Sequence, residues 1–234
     1  MTDTHPLDRP VWNALATGWS ALAEGDDRAR RLKPDYGPFA ASADLSPEGL
    51  TALTALLPAD GALWIVETEA VPAPAGAVVV RTTGLHQMVA PRITPAPPRF
   101  TIEPLTAADA PEMQALARLT EPGPFATRTH ELAEFLGVKQ DVKLVAMAGE
   151  RMRPAGFAEV SGVCTHPDHR GQGYAGGLMR AVAERIRARG ETPFLHVYPS
   201  NTGAIALYEA LGFVLRRPIT LTLLARDPAT TKAR

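Results

Sequence analysis

One stretch constrains the fold more than any other: Ala158-Glu-Val-Ser-Gly-Val-Cys-Thr-His-Pro-Asp-His-Arg-Gly-Gln-Gly-Tyr-Ala175. Residues 156–165 read as a strand, 166–170 as a short polar loop, and Gly171 and Gly173 as a turn that opens a helix. Tyr174, Leu178, Val182 and Ile186 recur at every fourth position, so a helix over 174–189 carries one apolar face. Gly190 stops it. A glycine turn feeding a helix N-terminus aims backbone N–H groups and the positive end of the helix dipole at one point, which suits an anion.

The residues that follow continue the alternation. A strand is expected over 193–198. A helix follows over 201–211, capped by Ser200 or Asn201 and stopped by Gly212. Two strands, 213–217 and 219–224, are expected on either side of Pro218. Upstream, 100–105 reads as a strand, and Thr106 or Asp109 caps a helix that runs to Leu119. Residues 121–128 read as a loop, 129–136 as a short helix ended by Gly137, 143–148 as a strand and 149–154 as a connection. Strands and helices in this order predict an α/β (α+β) fold with a central sheet.

The first half is also mixed. Val11, Trp12, Leu15, Trp19 and Leu22 predict a helix over 11–24, closed by Gly25. Ser46 and Pro47 start a second helix that runs to Leu57. Residues 63–67, 77–81 and 85–89 read as short strands. The basic run 28–33 reads as a solvated face, and His86 as structural. Four of the eight residues in 91–98 are proline, a composition that forbids a helix and favours an extended spacer. The chain is therefore expected to divide into an N-terminal α/β domain over 1–90, a linker over 91–98 and a larger domain over 99–234. The first domain has no assigned role and is compatible with a diverged copy of the second.

Charge and cysteine content narrow the function. The 234 residues carry a formal net charge of −1. There is no general basic field for nucleic acid or an anionic membrane, so an anion site must be local. Cys164 is the only cysteine, which excludes an intramolecular disulfide and fits a reducing compartment. The first residues lack the basic and apolar segments of a signal peptide. A cytoplasmic protein is expected.

Gly171 to Gly176 match G-x-G-x-x-G, the dinucleotide fingerprint. The spacing argues against that use. Five residues separate the strand from the first glycine, and Glu191 precedes the next strand instead of ending it. Cys164, His166, Asp168 and His169 are close in sequence, but Cys164 and His166 alternate across a strand and no second ligand pair appears elsewhere. No metal is expected, and the histidines read as shaping the loop.

The segment Arg170-Gly-Gln-Gly-Tyr-Ala175 matches the pyrophosphate signature Q/R-x-x-G-x-G/A of the GCN5-related N-acetyltransferase (GNAT) superfamily. With Asn201 and Leu207-Tyr208-Glu-Ala-Leu-Gly-Phe213 downstream, residues 100–225 resemble that family. Ser161-Gly-Val-Cys-Thr-His-Pro and Phe194-Leu-His-Val are similar to its FR47-like subgroup. The resemblance implies a mixed, mostly antiparallel sheet flanked by helices. It also implies acetyl-CoA as co-substrate and transfer of the acetyl group to an amine.

The resemblance implies roles residue by residue. The pantetheine arm would lie along Val163, Cys164 and Thr165, with Gly162 permitting a bend there. The pyrophosphate would sit on Gly171, Gln172, Gly173, Tyr174 and Ala175 beside Arg170. Asn201 would touch the cofactor arm, or serve only as a helix cap. Tyr208 would be the general acid, since a phenol near ~10 can protonate a departing thiolate whose thiol lies near ~8.5; it also suits a core position. Glu159 would be a general base, or an acid that binds substrate. Backbone N–H groups near Val163 and Cys164 would face the oxyanion. Direct transfer needs no covalent step at Cys164.

The resemblance also implies that the acceptor is gripped by the loop 122–128 and the strand ends, which points to Phe125, Arg128, Ser161 and His196, with Arg128 suited to pair a carboxylate. The partners implied are a small-molecule or peptide amine, with no nucleic acid and no membrane; a homodimer stays open. A CoA-binding module without turnover is the competing class.

Overall fold

The computed structural model describes residues 5–97 and 99–231. Three short strands, β1 (Ala23–Gly25), β2 (Ala29–Leu32) and β3 (Ala40–Ser42), form a small antiparallel sheet. The remaining strands are β4 (Leu63–Glu67), β5 (Ala77–Val89), β6 (Glu103–Pro104), β7 (Leu136–Gln140), β8 (Lys143–Glu150), β9 (Phe157–Thr165), β10 (Thr192–Val197) and β11 (Val214–Arg226). They form one eight-stranded sheet in the order β4-β11-β5-β10-β9-β8-β7-β6. Neighbours run antiparallel except β9 and β10.

This order corrects the expected division at 91–98. Strand β5, from the first half, pairs on one side with β10 and on the other along β11. The first half thus supplies an interior strand of the sheet that the second half builds. The segment 91–97 is a strap. Thr94 N–H donates to the Leu211 carbonyl at 3.0 Å, Arg180 Nε to the Thr94 carbonyl at 2.8 Å, and Arg187 to the Pro91 carbonyl. Prolines keep this segment extended, and its free carbonyls then accept from the helix it crosses. Pro98 lies outside the described residues.

The helices are α1 (Pro10–Ala16), α2 (Pro47–Ala55), α3 (Ala110–Thr120), α4 (Tyr174–Ala188), α5 (Thr202–Leu211) and a terminal turn, α6 (Pro228–Thr231). Helix α4 buries Leu178, Met179, Val182, Ala183 and Ile186 against Ala146, Ala148, Ala158 and Val160. Helix α3 packs with Met147 and Cys164. Ala146, Met147 and Ala148 alternate across the strand, so α4 and α3 cover opposite faces. Leu7, Val11, Leu15 and Trp19, around α1, pack on Met152, Phe194, Ile219 and Leu221. The first half is therefore bound to the second by core as well as by strand pairing. Among the described residues no helix is long and apolar enough to cross a membrane.

Other expectations shift locally. The helix expected over 11–24 ends at Ala16, where Gly18 lies so close to the backbone of Arg153 that a Cβ would stand 2.6 Å from its carbonyl oxygen. The two strands expected at 77–81 and 85–89 are one. The helix expected over 129–136 is only a 3-10 turn, Thr129–Glu131, and Leu136 already begins β7. Pro218 does not interrupt β11. It sits where β4, which pairs only with 220–224, no longer reaches, an edge position that tolerates a missing N–H.

Candidate active site

Strands β9 and β10 pair only at Phe157, Ala158 and Glu159, opposite Thr192, Pro193 and Phe194. Beyond that point they part. Strand β10 continues with β5, bringing His196 opposite Gln87. Strand β9 stays with β8 through a register shift between Met147 and Gly149. The bend is at Gly162, with φ +61, and a Cβ there would stand 2.7 Å from the Phe135 ring. The backbone edge of 160–165 is left facing a gap with no strand beside it.

Glycine is required twice over at this bend. An L-residue in that conformation costs about 1–2 kcal/mol, before the collision with Phe135. Gly162→Ala is expected to lower the melting temperature by several degrees and weaken acetyl-CoA binding about tenfold. Differential scanning fluorimetry and calorimetry read both. Wild-type values in the alanine variant would show that the parting of the strands does not depend on this residue.

The bend also breaks strand parity. Val163 packs with the α4 cluster, and Cys164 points to the other face among Met113, Leu116 and Ala117. Burial pushes the Cys164 thiol up to about 11, against a smaller opposing effect of the Thr120 hydroxyl. Such a thiol is a poor nucleophile.

The glycine turn is built as the sequence suggested. A 3-10 turn, Pro167–His169, is capped by His166, whose Nδ1 accepts from the Asp168 N–H at 3.3 Å. Gly171 and Gly173 have φ of +77 and +80, and no protein atom lies within 4 Å of where a Cβ would stand. Gly173 caps α4 without a side-chain hydrogen bond, so the first N–H groups of the helix point outward unsatisfied. Arg170 is exposed; its backbone N–H donates to the Pro167 carbonyl at 3.3 Å, and its guanidinium has no partner among the described residues. The Tyr174 side chain is turned inward. Its hydroxyl donates to Gln172 Oε1 and accepts from Gln140 Nε2, both at 2.8 Å. Only the Tyr174 backbone is available to a ligand. The open turn, the uncapped helix and the unpaired strand edge together fit a long molecule with a pyrophosphate at one end.

A cavity of about 850 Å³ opens where the strands part. Its lining includes Val163, Met179, Asn201 and Tyr208. Tyr208 lies against Phe213; burial raises its phenol above the ordinary value, and its hydroxyl has no partner among the described residues. Asn201 caps α5, its side chain accepting from the Ala204 N–H at 3.3 Å. Ser161 and Phe125 also line the cavity, Phe125 edge-on to Phe135.

Glu159 is in the cavity wall but is not placed as a base. It is fully buried. Arg151 Nε and Nη2 donate to its two oxygens at 2.8 and 2.9 Å, and His196 Nδ1 lies 2.8 Å from Oε1. Burial works to raise its pKa. The charge and hydrogen bonds of Arg151, then the hydrogen bond from His196, overcome that and hold the carboxyl well below the usual carboxylate range. A carboxylate so occupied is a weak proton acceptor.

His196 is committed as well. Gln87 Nε2 donates to the Leu7 carbonyl at 2.8 Å, and Gln87 Oε1 accepts from Arg216 Nη1 at 2.8 Å. This fixes the amide, and its Nε2 then meets His196 Nε2 at 3.2 Å as a donor. His196 is therefore the neutral tautomer with its proton on Nδ1, facing Glu159. Arg216, aimed inward by the irregularity in β11, passes the chain on to Asp8 at 2.7 Å.

Arg128 does not reach the cavity, contrary to expectation. Its guanidinium holds Glu131 at 2.6 and 2.9 Å and covers the Tyr36 ring at 4.7 Å. Residues that sequence reasoning missed line the cavity instead: Phe39, Trp64, Arg81, Arg118 and Arg151. Three of these come from the first half, for which the sequence offered no chemistry.

The FR47-like protein family model matches residues 135–220. A solved GNAT-family protein from Novosphingobium aromaticivorans is 50% identical, with a TM-score of 0.90, covering 95% of this chain and 99% of its own. A GCN5-related N-acetyltransferase from Kribbella flavida is 19% identical with a TM-score of 0.64, covering 96% and 98%. A GNAT-family acetyltransferase from Colwellia psychrerythraea is 13% identical with a TM-score of 0.53, covering 83% and 75%. These last two share the fold. No curated protein matches the sequence. The chain belongs to the GNAT superfamily, and its residues 135–220 match the FR47-like model within it.

Proposed function

We propose that the protein moves the acetyl group of acetyl-CoA directly onto an amine bound in the same cavity. The observation that carries this reading is the parting of β9 from β10 beside a cavity lined by Tyr208, whose hydroxyl has no partner among the described residues. The pyrophosphate would rest on the N–H groups from Gly171 to Ala175, with Arg170 alongside. The pantetheine arm would pair with the free edge at Val163, Cys164 and Thr165 as an added strand, and Asn201 would flank it. Acetyl-CoA supplies a thioester carbonyl activated for attack by an amine.

The chain supplies the rest. Backbone N–H groups near Val163 and Cys164 face the charge that develops on the carbonyl oxygen. As the C–N bond forms and the C–S bond breaks, Tyr208 donates its proton toward the departing sulfur. Its raised pKa keeps that proton in place at neutral pH. The amine loses its own proton to water. Glu159 fixes Arg151 and His196 and takes no proton.

Calorimetry with acetyl-CoA and thiol release across an amine panel test this. Binding with amine-dependent release is the expected result. No binding at millimolar acetyl-CoA would remove the whole account, and binding without release by any amine would leave a CoA-binding module. Tyr208→Phe is expected to lower kcat on the order of a hundredfold with acetyl-CoA affinity held. An unchanged kcat would end the acid role.

A further inference from the structure

The cavity also carries side chains that acyl transfer alone does not require. Trp64 and Phe125 give it aromatic lining, with Trp64 backed edge-on by the buried Phe39 at 6.3 Å between centroids. Its charges are uneven. Arg151 is cancelled by Glu159. Arg118, in the last turn of α3, has no partner among the described residues. Arg81, on β5, donates only to the neutral Tyr198 hydroxyl at 3.1 Å. Against these two cations stands, among the described residues lining the cavity, one carboxylate without a side-chain partner, Glu121, just past the end of α3.

We propose that the acceptor is a free amino acid with an apolar side chain, its carboxylate held by Arg81 and Arg118 and its side chain laid against Trp64 and Phe125. This rests on the acyl-transfer reading above and assigns its second substrate. Guanidinium groups suit a planar carboxylate. A zwitterion matches the balance of the site, with Glu121 opposite its ammonium group. A polyamine or an aminoglycoside would bring several ammonium groups against two uncompensated arginines, which opposes binding. A peptide N-terminus carries its amine without a nearby carboxylate. The proposal also gives the first half a role, since Trp64 and Arg81 both belong to it.

The test is thiol release from acetyl-CoA with matched acceptors: L-phenylalanine, L-phenylalaninamide, phenethylamine, phosphoethanolamine, spermidine and kanamycin. L-Phenylalanine is expected to exceed its amide at least tenfold in kcat/KM. The amide has the less basic amine, so intrinsic reactivity favours the opposite order. Arg81→Gln and Arg118→Gln are each expected to raise KM for L-phenylalanine about tenfold, as loss of a charge-assisted hydrogen bond does, and to bring the ratio of amino acid to amide toward one. Release that is equal or faster with the amide, the amine, phosphoethanolamine or the polycations overturns the carboxylate assignment and leaves acyl transfer standing. Variants that slow every acceptor alike also overturn it. Acetyl-CoA binding with no release by any acceptor overturns both.

Discussion

A chain cut at the proline-rich segment to leave residues 99–234 is expected not to fold. The cut removes β4 and β5, the two strands that pair with β11, so β11 loses all its strand partners and β10 loses one side. It also strips Phe194, Met152, Ile219 and Leu221 of the apolar surface supplied by Leu7, Val11, Leu15, Trp19, Leu32 and Phe39. Each large side chain so exposed forfeits about 1.5–3 kcal/mol, and four of them together give up an amount comparable to the 5–15 kcal/mol that keeps a typical domain folded. Circular dichroism with urea titration should show no cooperative transition in the fragment. Adding residues 1–98 as a separate chain should restore part of it. A fragment that unfolds cooperatively and still binds acetyl-CoA would show that the domain ends at the prolines after all.

The same pairing explains what was legible in the sequence. Helix α4, the glycine turn and β9 announce themselves because period, glycine and polarity all agree over a few neighbouring residues. Gly137 misleads because glycine has two uses. It reads as a helix stop, yet it lies inside β7, where a Cβ would stand 2.6 Å from Leu105 and 2.8 Å from Leu144. Strand β5 reads as two strands because residues 80–82 and Gly84 are exposed, so no alternation survives there to mark the middle of a strand. Arg128 was legible in hindsight: Glu131 stands three residues on, a spacing that pairs the two side chains locally.

The interior of the site was not legible at all. Glu159 was visible as a candidate, but its character comes from Arg151 on a loop eight residues back and His196 thirty-seven residues on. Gln87 meets Arg216 across 129 residues. No local pattern encodes such a chain. It exists because β5 is inserted beside β10, and that insertion is a property of the sheet.

Glu159→Gln is expected to destabilise the protein by about 3–5 kcal/mol, the usual cost of removing one member of a buried ion pair and leaving the other charge uncompensated. Both partners qualify, with Glu159 fully buried and the Arg151 side chain 13% exposed. The pH dependence carries the sign. The folded carboxyl lies below its unfolded value, so the stabilisation is fully present above the unfolded pKa, near ~4.3, and is lost as pH falls through the folded one. The wild-type protein should therefore gain stability from this group on leaving acid, and the glutamine variant should lack that contribution. Urea titrations across the acid range read the difference. Activity separates this role from that of a base. A base at Glu159 would set the acid limb of kcat/KM, and glutamine would abolish the limb with little loss of stability. As a clamp on Arg151 and His196, Glu159 leaves the limb to the acceptor amine, so it should keep its position in whatever fraction of the variant stays folded. Replacing both partners, Glu159→Leu with Arg151→Met, should recover much of the lost stability, because no charge is then stranded. A double variant no more stable than Glu159→Gln would mean that the pair is not what Glu159 is there to hold.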